Sequence, residues 1–246
     1  MKKLLLLYII AFSFVMSSCN PVLYQPNSPN IPMVDTTEQT NIKACASFRS
    51  ADLQFSRLTK SNRLIQTSFT ISDAGLKYSL GSGKINFKKS RNTFYTYGLS
   101  FTDFTKKERW HFDEGQFIGQ GDNFPSSSKI QSKQIMGRFM IGYLTHPNTG
   151  PFESQNATAL EFELCFAPEI KYITTHRTIN EPFEWKESGE IKNHLYGIVS
   201  LHQQFSIYKS FTLTVGSRLP IRGLMLPNEW MYYTTELVYV KAGIVI

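Results

Sequence analysis

The chain is poor in cysteine, in long apolar runs and in catalytic motifs, and each shortage removes a class of protein. Its 246 residues hold only Cys19, Cys45 and Cys165, too few for a small secreted fold stapled by disulfides. After the apolar run Leu4 to Val15 there is no second stretch long enough to cross a bilayer as a helix, which excludes a polytopic helical membrane protein. Helical periodicity is not sustained anywhere beyond that run. Basic residues (26 Lys and Arg against 19 Asp and Glu) are scattered with acids among them, so no phosphate-tracking stripe exists and nucleic acid is not expected as a partner. The chain has no Gly-x-Ser-x-Gly elbow, no His-Glu-x-x-His, no phosphate-cradling glycine loop and no Cys-x-x-Cys. No metal or organic cofactor is expected. The core must come from apolar burial or from lipid.

What is present begins at the N-terminus. Lys2 and Lys3, the apolar run, and then Met16-Ser17-Ser18-Cys19 read as an export signal ending in a lipidation site, because two small residues before a cysteine suit a lipoprotein signal peptidase. Residues 1–18 are then a signal peptide, and Cys19 becomes an acylated N-terminus. Its removal takes away two lysines and leaves 24 basic side chains against 19 acidic ones. Residues 19–37 follow as a tether with prolines at 21, 26, 29 and 32; proline fixes φ and removes a donor, so the stretch cannot enter a regular ladder. The remaining 38–246 carry a different pattern.

That pattern has a period of two. Ile42, Ala44, Ala46 and Phe48 alternate with polar residues, as do Leu53 and Phe55, then Ile65, Phe69 and Ile71, and most clearly Tyr95, Tyr97, Leu99 and Phe101. Strands are expected at 41–48, 52–58, 64–71, 93–104, 108–118, 131–144, 157–174, 194–206, 211–217 and 231–246. β-Branched and aromatic residues dominate these runs, which favours an all-β architecture. Ser72 to Asn92 reads as a long connection. Short turns (Thr59 to Asn62, Thr105 to Lys107, Ile207 to Ser210) alternate with long loops, as in outer-membrane barrels with tight periplasmic turns and extended outer loops. The expected fold is therefore an antiparallel up-and-down transmembrane β-barrel of about ten strands, within a range of roughly eight to twelve. Arg49 to Ala51 and Thr145 to Asn156 break the alternation of loop lengths.

On a closed sheet in lipid, the set Ile42, Phe55, Phe69, Tyr97, Phe101, Phe139, Ile141, Phe162, Leu164, Phe211 and Leu213 points outward. Lys43, Gln54, Gln66, Arg138, Glu161 and Glu163 then line a lumen too narrow for a wide pore. A water-soluble lipoprotein barrel would turn the aromatic face inward, and the alternation alone fits both. Cys45 and Cys165 fall on polar faces and are expected as separate free thiols.

Leu23-Tyr24-Gln25-Pro26-Asn27, Asn30-Ile31-Pro32-Met33 and Ala51-Asp52-Leu53-Gln54-Phe55-Ser56 resemble the opening of lipidated outer-membrane β-barrel proteins of Bacteroidota. In that family a Tyr-x-Pro-Asn and an Asn-x-Pro-Leu element precede the first strand, an acidic residue enters it, and Asp-Leu-Gln opens the next. Glu38 is the counterpart of the acid. Met33 stands where the family has leucine, a Lys-Gly-Glu element is missing from Asp35 to Gln39, and the glycine-rich first loop shrinks to Arg49 to Ala51. The resemblance covers mostly the first 60 residues and implies no enzymatic activity.

Two groups of side chains stand out as candidate sites. His111 and Asp113, two apart on one strand face, place a carboxylate where it can orient an imidazole, the arrangement a barrel hydrolase would use. A hydrogen-bonded rim pair is the commoner reason for such spacing. His146, His176, His194 and His202 read as isolated polar residues. Lys84, Lys88, Lys89 and Arg91 lie in the long Ser72–Asn92 connection, which the alternation places outside the cell beside anionic lipid such as lipopolysaccharide. The expected protein is an outer-membrane lipoprotein anchored through Cys19, non-catalytic, with a structural or surface-interaction role and membrane lipid as its partner. The alternatives are a soluble periplasmic ligand- or lipid-binding barrel and a His111–Asp113 hydrolase.

Overall fold

The computed structural model describes residues 29–33, 39–47, 50–88, 91–109, 123–146, 154–178, 184–207, 210–222 and 238–245. Ten strands make up nearly all of them: β1 Thr40–Ala46, β2 Ser50–Leu58, β3 Arg63–Ser72, β4 Gly75–Asn86, β5 Asn92–Arg109, β6 Asn123–Leu144, β7 Ser154–Thr178, β8 Glu184–Ile207, β9 Phe211–Arg222 and β10 Val238–Val245. Each strand pairs antiparallel with its sequence neighbours. β1 pairs with β10, Lys43 opposite Val245 and Ala46 opposite Ala242, so the sheet closes into an up-and-down barrel without an open edge.

The strand assignment differs from the sequence expectation in one important place. Ser72–Asn92 is not a long connection. It holds β4, joined to β3 by Asp73 and Ala74 and a positive-φ Gly75. Leu76, Tyr78 and Leu80 alternate with Lys77, Ser79 and Gly81, but the glycines at 75, 81 and 83 lower β propensity and mask the period. Of the strand expected at 108–118, Glu108 and Arg109 form the end of β5, and 110–118 lie outside the described residues.

Both chain ends of the barrel lie at one rim, here the terminal rim, with the connections 59–62, 87–91, 145–153 and 208–210. The opposite, far rim carries 47–49, 73–74, 110–122, 179–183 and 223–237. Short and long connections therefore occur at both ends, and the expected alternation fails; the two longest intervals between strands, 110–122 and 223–237, each join strand ends at the far rim. The hairpin at 59–62 is closed by the Thr59 N–H donating to the Arg63 carbonyl at 2.9 Å, with Asn62 at φ 58° where asparagine is tolerated.

The pleat sorts residues as alternation predicts. Tyr97, Leu99 and Phe101 of β5, Phe139 and Ile141 of β6 and Phe162 and Leu164 of β7 face outward, each 41–57% exposed. Lys43, Gln54, Gln66, Glu161 and Glu163 are buried in the lumen at no more than 4%. The aromatic face does not turn inward.

Inward glycines let neighbouring strands approach. A Cβ on Gly98 would strike the Leu80 carbonyl oxygen and lie 2.8 Å from the Gly81 Cα, whereas one on the outward Gly137 meets nothing within 4 Å. Gly98→Val is therefore expected to cost about 1–3 kcal/mol of barrel stability, and Gly137→Val close to nothing, read as urea midpoints of the detergent-folded barrel. Equal midpoints for the two variants would contradict the packing described.

Candidate functional site

The lumen is built in three tiers. At the terminal rim, Leu58, Leu64, Ile85, Phe94, Met140, Leu144, Ala157 and Ala159 form an apolar cluster. Ile31 and Met33, which precede β1, insert into it from the chain entry. This entering segment is pinned by polar bonds: the Asn30 side-chain amide donates to the Phe55 and Thr67 carbonyls at 3.1 and 3.2 Å, and the Asn41 amide donates to the Met33 carbonyl at 3.2 Å. Toward the far rim a second cluster contains Phe104, Ile130, Met136, Cys165, Ile170, Tyr196 and Ile198. Cys45 and Cys165 are both buried in the lumen and both are free thiols.

Between the clusters lies a charged belt. Lys241 Nζ sits 2.7 Å from Asp52 Oδ2, and Asp52 Oδ1 accepts from the Thr70 hydroxyl at 2.6 Å. Lys77 Nζ is 3.1 Å from Glu163 Oε1. Arg138 reaches Glu161 Oε1 at 2.6 Å, while His202 Nε2 meets Glu161 Oε2 at 2.8 Å. The other ring nitrogen of His202 faces the Tyr239 hydroxyl, and the Arg218 guanidinium stacks on the Tyr239 ring with 3.9 Å to its centroid. Lys43 Nζ donates to Gln204 Oε1 at 2.9 Å. Alternation explains the convergence: residues two apart on a strand share a face, so Glu161 with Glu163 and His202 with Gln204 all project inward.

His202, read from the sequence as a solvated or hydrogen-bonded polar residue outside any local motif, is the hydrogen-bonded kind: it is buried at 1% and held between Glu161 and Tyr239. Glu161 and His202 lie 41 positions apart in the chain, so no local motif betrays the pair. Their inward parity is the only signal. Glu161, His202 and Tyr239 have the make-up of a proton relay, and all three are buried, at 3%, 1% and 4% exposure. A separate lumenal space lined by Asn30, Gln66, Ser68, Ser79, Gly81, Thr96 and Arg138 measures about 10 Å³, room for a single water. The belt is a braced polar core.

Of the residues singled out from the sequence, Cys19, Lys89, His111 and Asp113 lie outside the described residues. Lys84 is an outward residue of β4 rather than part of a loop. Lys88 and Arg91 belong to the 87–91 connection at the terminal rim, the opposite end from the one expected for them. The carriers of the error are the β4 glycines, since losing one strand reverses the side of the next connection. Among the described residues no group of three His, Cys, Asp or Glu side chains could hold a metal ion.

The outer surface changes character at one level near the far rim. β7 outpaces β6 there: Phe166 pairs with Ile135 and Glu169 with Lys133, so Ala167 and Pro168 face one residue of β6. Beside them on β8, Asn193 takes φ 54°. On the terminal side of this bulge the outward residues are Phe162, Leu164, Phe166, Leu195 and Ile135, all large and apolar. Beyond it they are Glu169, Lys171, Glu190, Lys192 and Lys133. Lys171 lies 2.9 Å from Glu169 and Lys192 3.2 Å from Glu190. The hydrogen bond from Lys171 holds the Glu169 carboxyl below its ordinary range, and Glu169 raises Lys171 in return. β5 to β8 continue past the bulge as a projecting four-stranded sheet.

The fold and lumen define a closed ten-stranded barrel of inverted polarity, charged within and apolar without. Comparison with protein-family models, with curated proteins and with solved structures finds no match to this chain.

Removing one partner of a buried ion pair strands the other. Glu161→Leu leaves Arg138 and His202 without their shared carboxylate and is expected to cost about 3–5 kcal/mol, measured by urea unfolding of the detergent-folded barrel. Glu169→Leu, in an exposed pair, should unfold close to the parent's urea midpoint.

Proposed function

We propose that this chain is an outer-membrane β-barrel lipoprotein, anchored through Cys19 and non-catalytic, whose barrel serves as a base for a surface-interaction or structural role. The observation that carries this reading is the inverted polarity of the closed sheet. Leu53, Leu80, Tyr97, Leu99, Leu164, Leu195 and Leu219 stand 50–62% exposed around the circumference, while Lys43, Lys77, Arg218 and Lys241 are buried inside. Water does not reward that arrangement: burying the charges forfeits their hydration, and exposing the leucines gains nothing. Hydrocarbon does, because it solvates the outer face and demands that every backbone group be paired, which closure achieves. The soluble-barrel reading needs the opposite arrangement.

Orientation follows from the anchor. An acylated Cys19 followed by a short proline-rich tether holds the terminal rim at the periplasmic leaflet, and the β5–β8 sheet then projects from the far side of the membrane. That sheet presents paired charges together with Trp185 and Ile173, which are 36% and 44% exposed, a surface suited to contact with another macromolecule. The lumen is filled by the two apolar clusters and the belt, so solute passage is not its task. No activity is assigned to His111 and Asp113.

The reading is tested at Leu99, outward and near the middle of β5. Leu99→Arg is expected to destabilise the bilayer-folded protein by about 2–4 kcal/mol, since a charge at mid-depth on the lipid face is penalised. Were the barrel water-soluble, arginine at a half-exposed surface position would fold unchanged. Resistance to alkaline extraction and heat-modifiable migration of the Cys19→Ala protein are the companion measurements. Loss of both would overturn the proposal.

A further inference from the structure

The terminal rim carries a charge pattern that the far rim lacks. On the outward face, Arg57 of β2, Arg63 of β3 and Lys84 of β4 lie on adjacent strands, and the exposed Arg91 immediately precedes β5. Arg63 and Lys84 are register partners, directly opposite one another. Like charges so placed repel, and the sheet tolerates them at lower cost if an anion sits between. Arg57 pairs with Ile65, one step along the same face from Arg63, and Lys84 pairs with Tyr95. Arg91 stacks on Tyr143 with 5.1 Å from its guanidinium carbon to the ring centroid.

Among the described residues of this rim, in 55–66, 82–88, 91–95, 140–146, 154–160, 201–207 and 210–214, there is no aspartate or glutamate; in the sequence Glu153 falls in the 145–153 connection, and Asp35 and Glu38 precede β1. The far rim, by contrast, interleaves Asp103, Glu169 and Glu190 with its lysines. Immediately inside the cationic arc begins the apolar belt, with Ile65, Leu80, Tyr95 and Ile141 outward and 38–51% exposed. Cations above, tyrosine at the boundary and aliphatic surface below match the layers of a phospholipid leaflet in order: phosphate, carbonyl region, acyl chain.

We propose that Arg57, Arg63, Lys84 and Arg91 form a binding arc for the headgroups of anionic phospholipids in the leaflet at the terminal rim. The Arg63–Lys84 pair is its centre and holds one phosphate. This rests on the membrane reading above. It also replaces the expectation that the Lys84–Arg91 group meets lipopolysaccharide outside the cell, because β4 puts the group at the opposite end. A free phosphate ion would satisfy the two cations but gain nothing from the belt beneath, so the arc is assigned to a lipid.

The full mature chain is folded into phosphatidylcholine bilayers, and the association of spin-labelled phosphatidylglycerol is compared with that of spin-labelled phosphatidylcholine. A preference of roughly fivefold for phosphatidylglycerol is expected, falling close to parity in Arg57→Gln/Arg63→Gln/Lys84→Gln/Arg91→Gln. The far-rim control Lys171→Gln/Lys192→Gln should keep the full preference. Raising salt on the unaltered protein should erode the preference as well, which tests the arc even where the fourfold variant fails to fold. Equal association of the two lipids with a protein that inserts and is heat-modifiable would overturn the arc while leaving the membrane reading intact. Equal loss in the far-rim control, or displacement of the lipid by inorganic phosphate beyond the effect of chloride at equal ionic strength, would overturn it too. A chain that does not insert at all removes the membrane reading and the arc together.

Discussion

Closure of the hydrogen-bond ladder is the constraint on which everything else depends. A sheet whose outer face is leucine, tyrosine and phenylalanine can exist in hydrocarbon only if no backbone N–H or C=O is left open along its edges. The β1–β10 pairing removes those edges. It is also the slightest seam of the barrel, with four register pairs between Lys43–Ala46 and Ala242–Val245. Small residues let it form: Ala44, Ala46, Ala242 and Gly243 all lie in the seam, and a Cβ on Gly243 would come within 2.7 Å of the Cys45 sulfur and the Thr212 hydroxyl. The neighbouring belt contacts brace it from within. Lys241 of β10 reaches Asp52 and Ser50 of β2, spanning β1 entirely, and Lys43 of β1 reaches Gln204 of β8 across the lumen.

Once the outer face is given to apolar side chains, the interior must accept the polar half of every strand. A barrel of ten strands has too little room to hydrate those side chains freely, so they are paired instead. Three carboxylates of the belt meet partners from other strands: Asp52 meets Lys241 from β10, Glu161 meets His202 from β8 with Arg138 from β6, and Glu163 meets Lys77 from β4. His202 and Arg138 come from strands flanking β7, whereas Lys77 and Lys241 cross farther around the wall. Cross-lumen pairs of this kind fix the shape of the cross-section. The Glu161–His202–Tyr239 group satisfies buried polar atoms of the same core.

How much of this was legible follows from where the period of two survives. It survives where both faces carry side chains of contrasting polarity, as in β1, β2, β3 and the Thr93–Phe104 part of β5, and there both strand and facing were readable. It fades in β4, where inward glycines at 81 and 83 remove the contrast. It fades again in β8 past the bulge, where the strand begins at Glu184 rather than at the expected 194 and runs through Glu190 and Lys192, whereas the strand expected at 157–174 already covered Glu169 and Lys171 of β7. The lumenal partners were legible as a set but not as pairs. Alternation tells which way Glu161 points, whereas strand tilt and register decide that His202 is what it meets. The Lys84–Arg91 group shows the cost of one missed strand, since in an up-and-down barrel each omission moves every later connection to the other rim.

The entering segment completes the argument about what the barrel is for. Asn30 to Met33 lie inside the wall, with Ile31 and Met33 buried at 1% and 7% and Asn30 bonded to β2 and β3 backbone carbonyls. The same residues carry the Asn-x-Pro element noted in the sequence, so an element first read as part of a tether is in fact the apolar stopper of the terminal rim. Proline at 32 suits that position, because a segment crossing a lumen has no strand neighbour to receive its missing N–H. With this stopper at one end, the belt at mid-height and the Phe104–Tyr196 cluster beyond it, the lumen is occupied along its length by protein. A lumen filled in this way braces the wall from within, and under the proposed reading it is the outside, the cationic arc at one rim and the projecting sheet at the other, that meets other molecules.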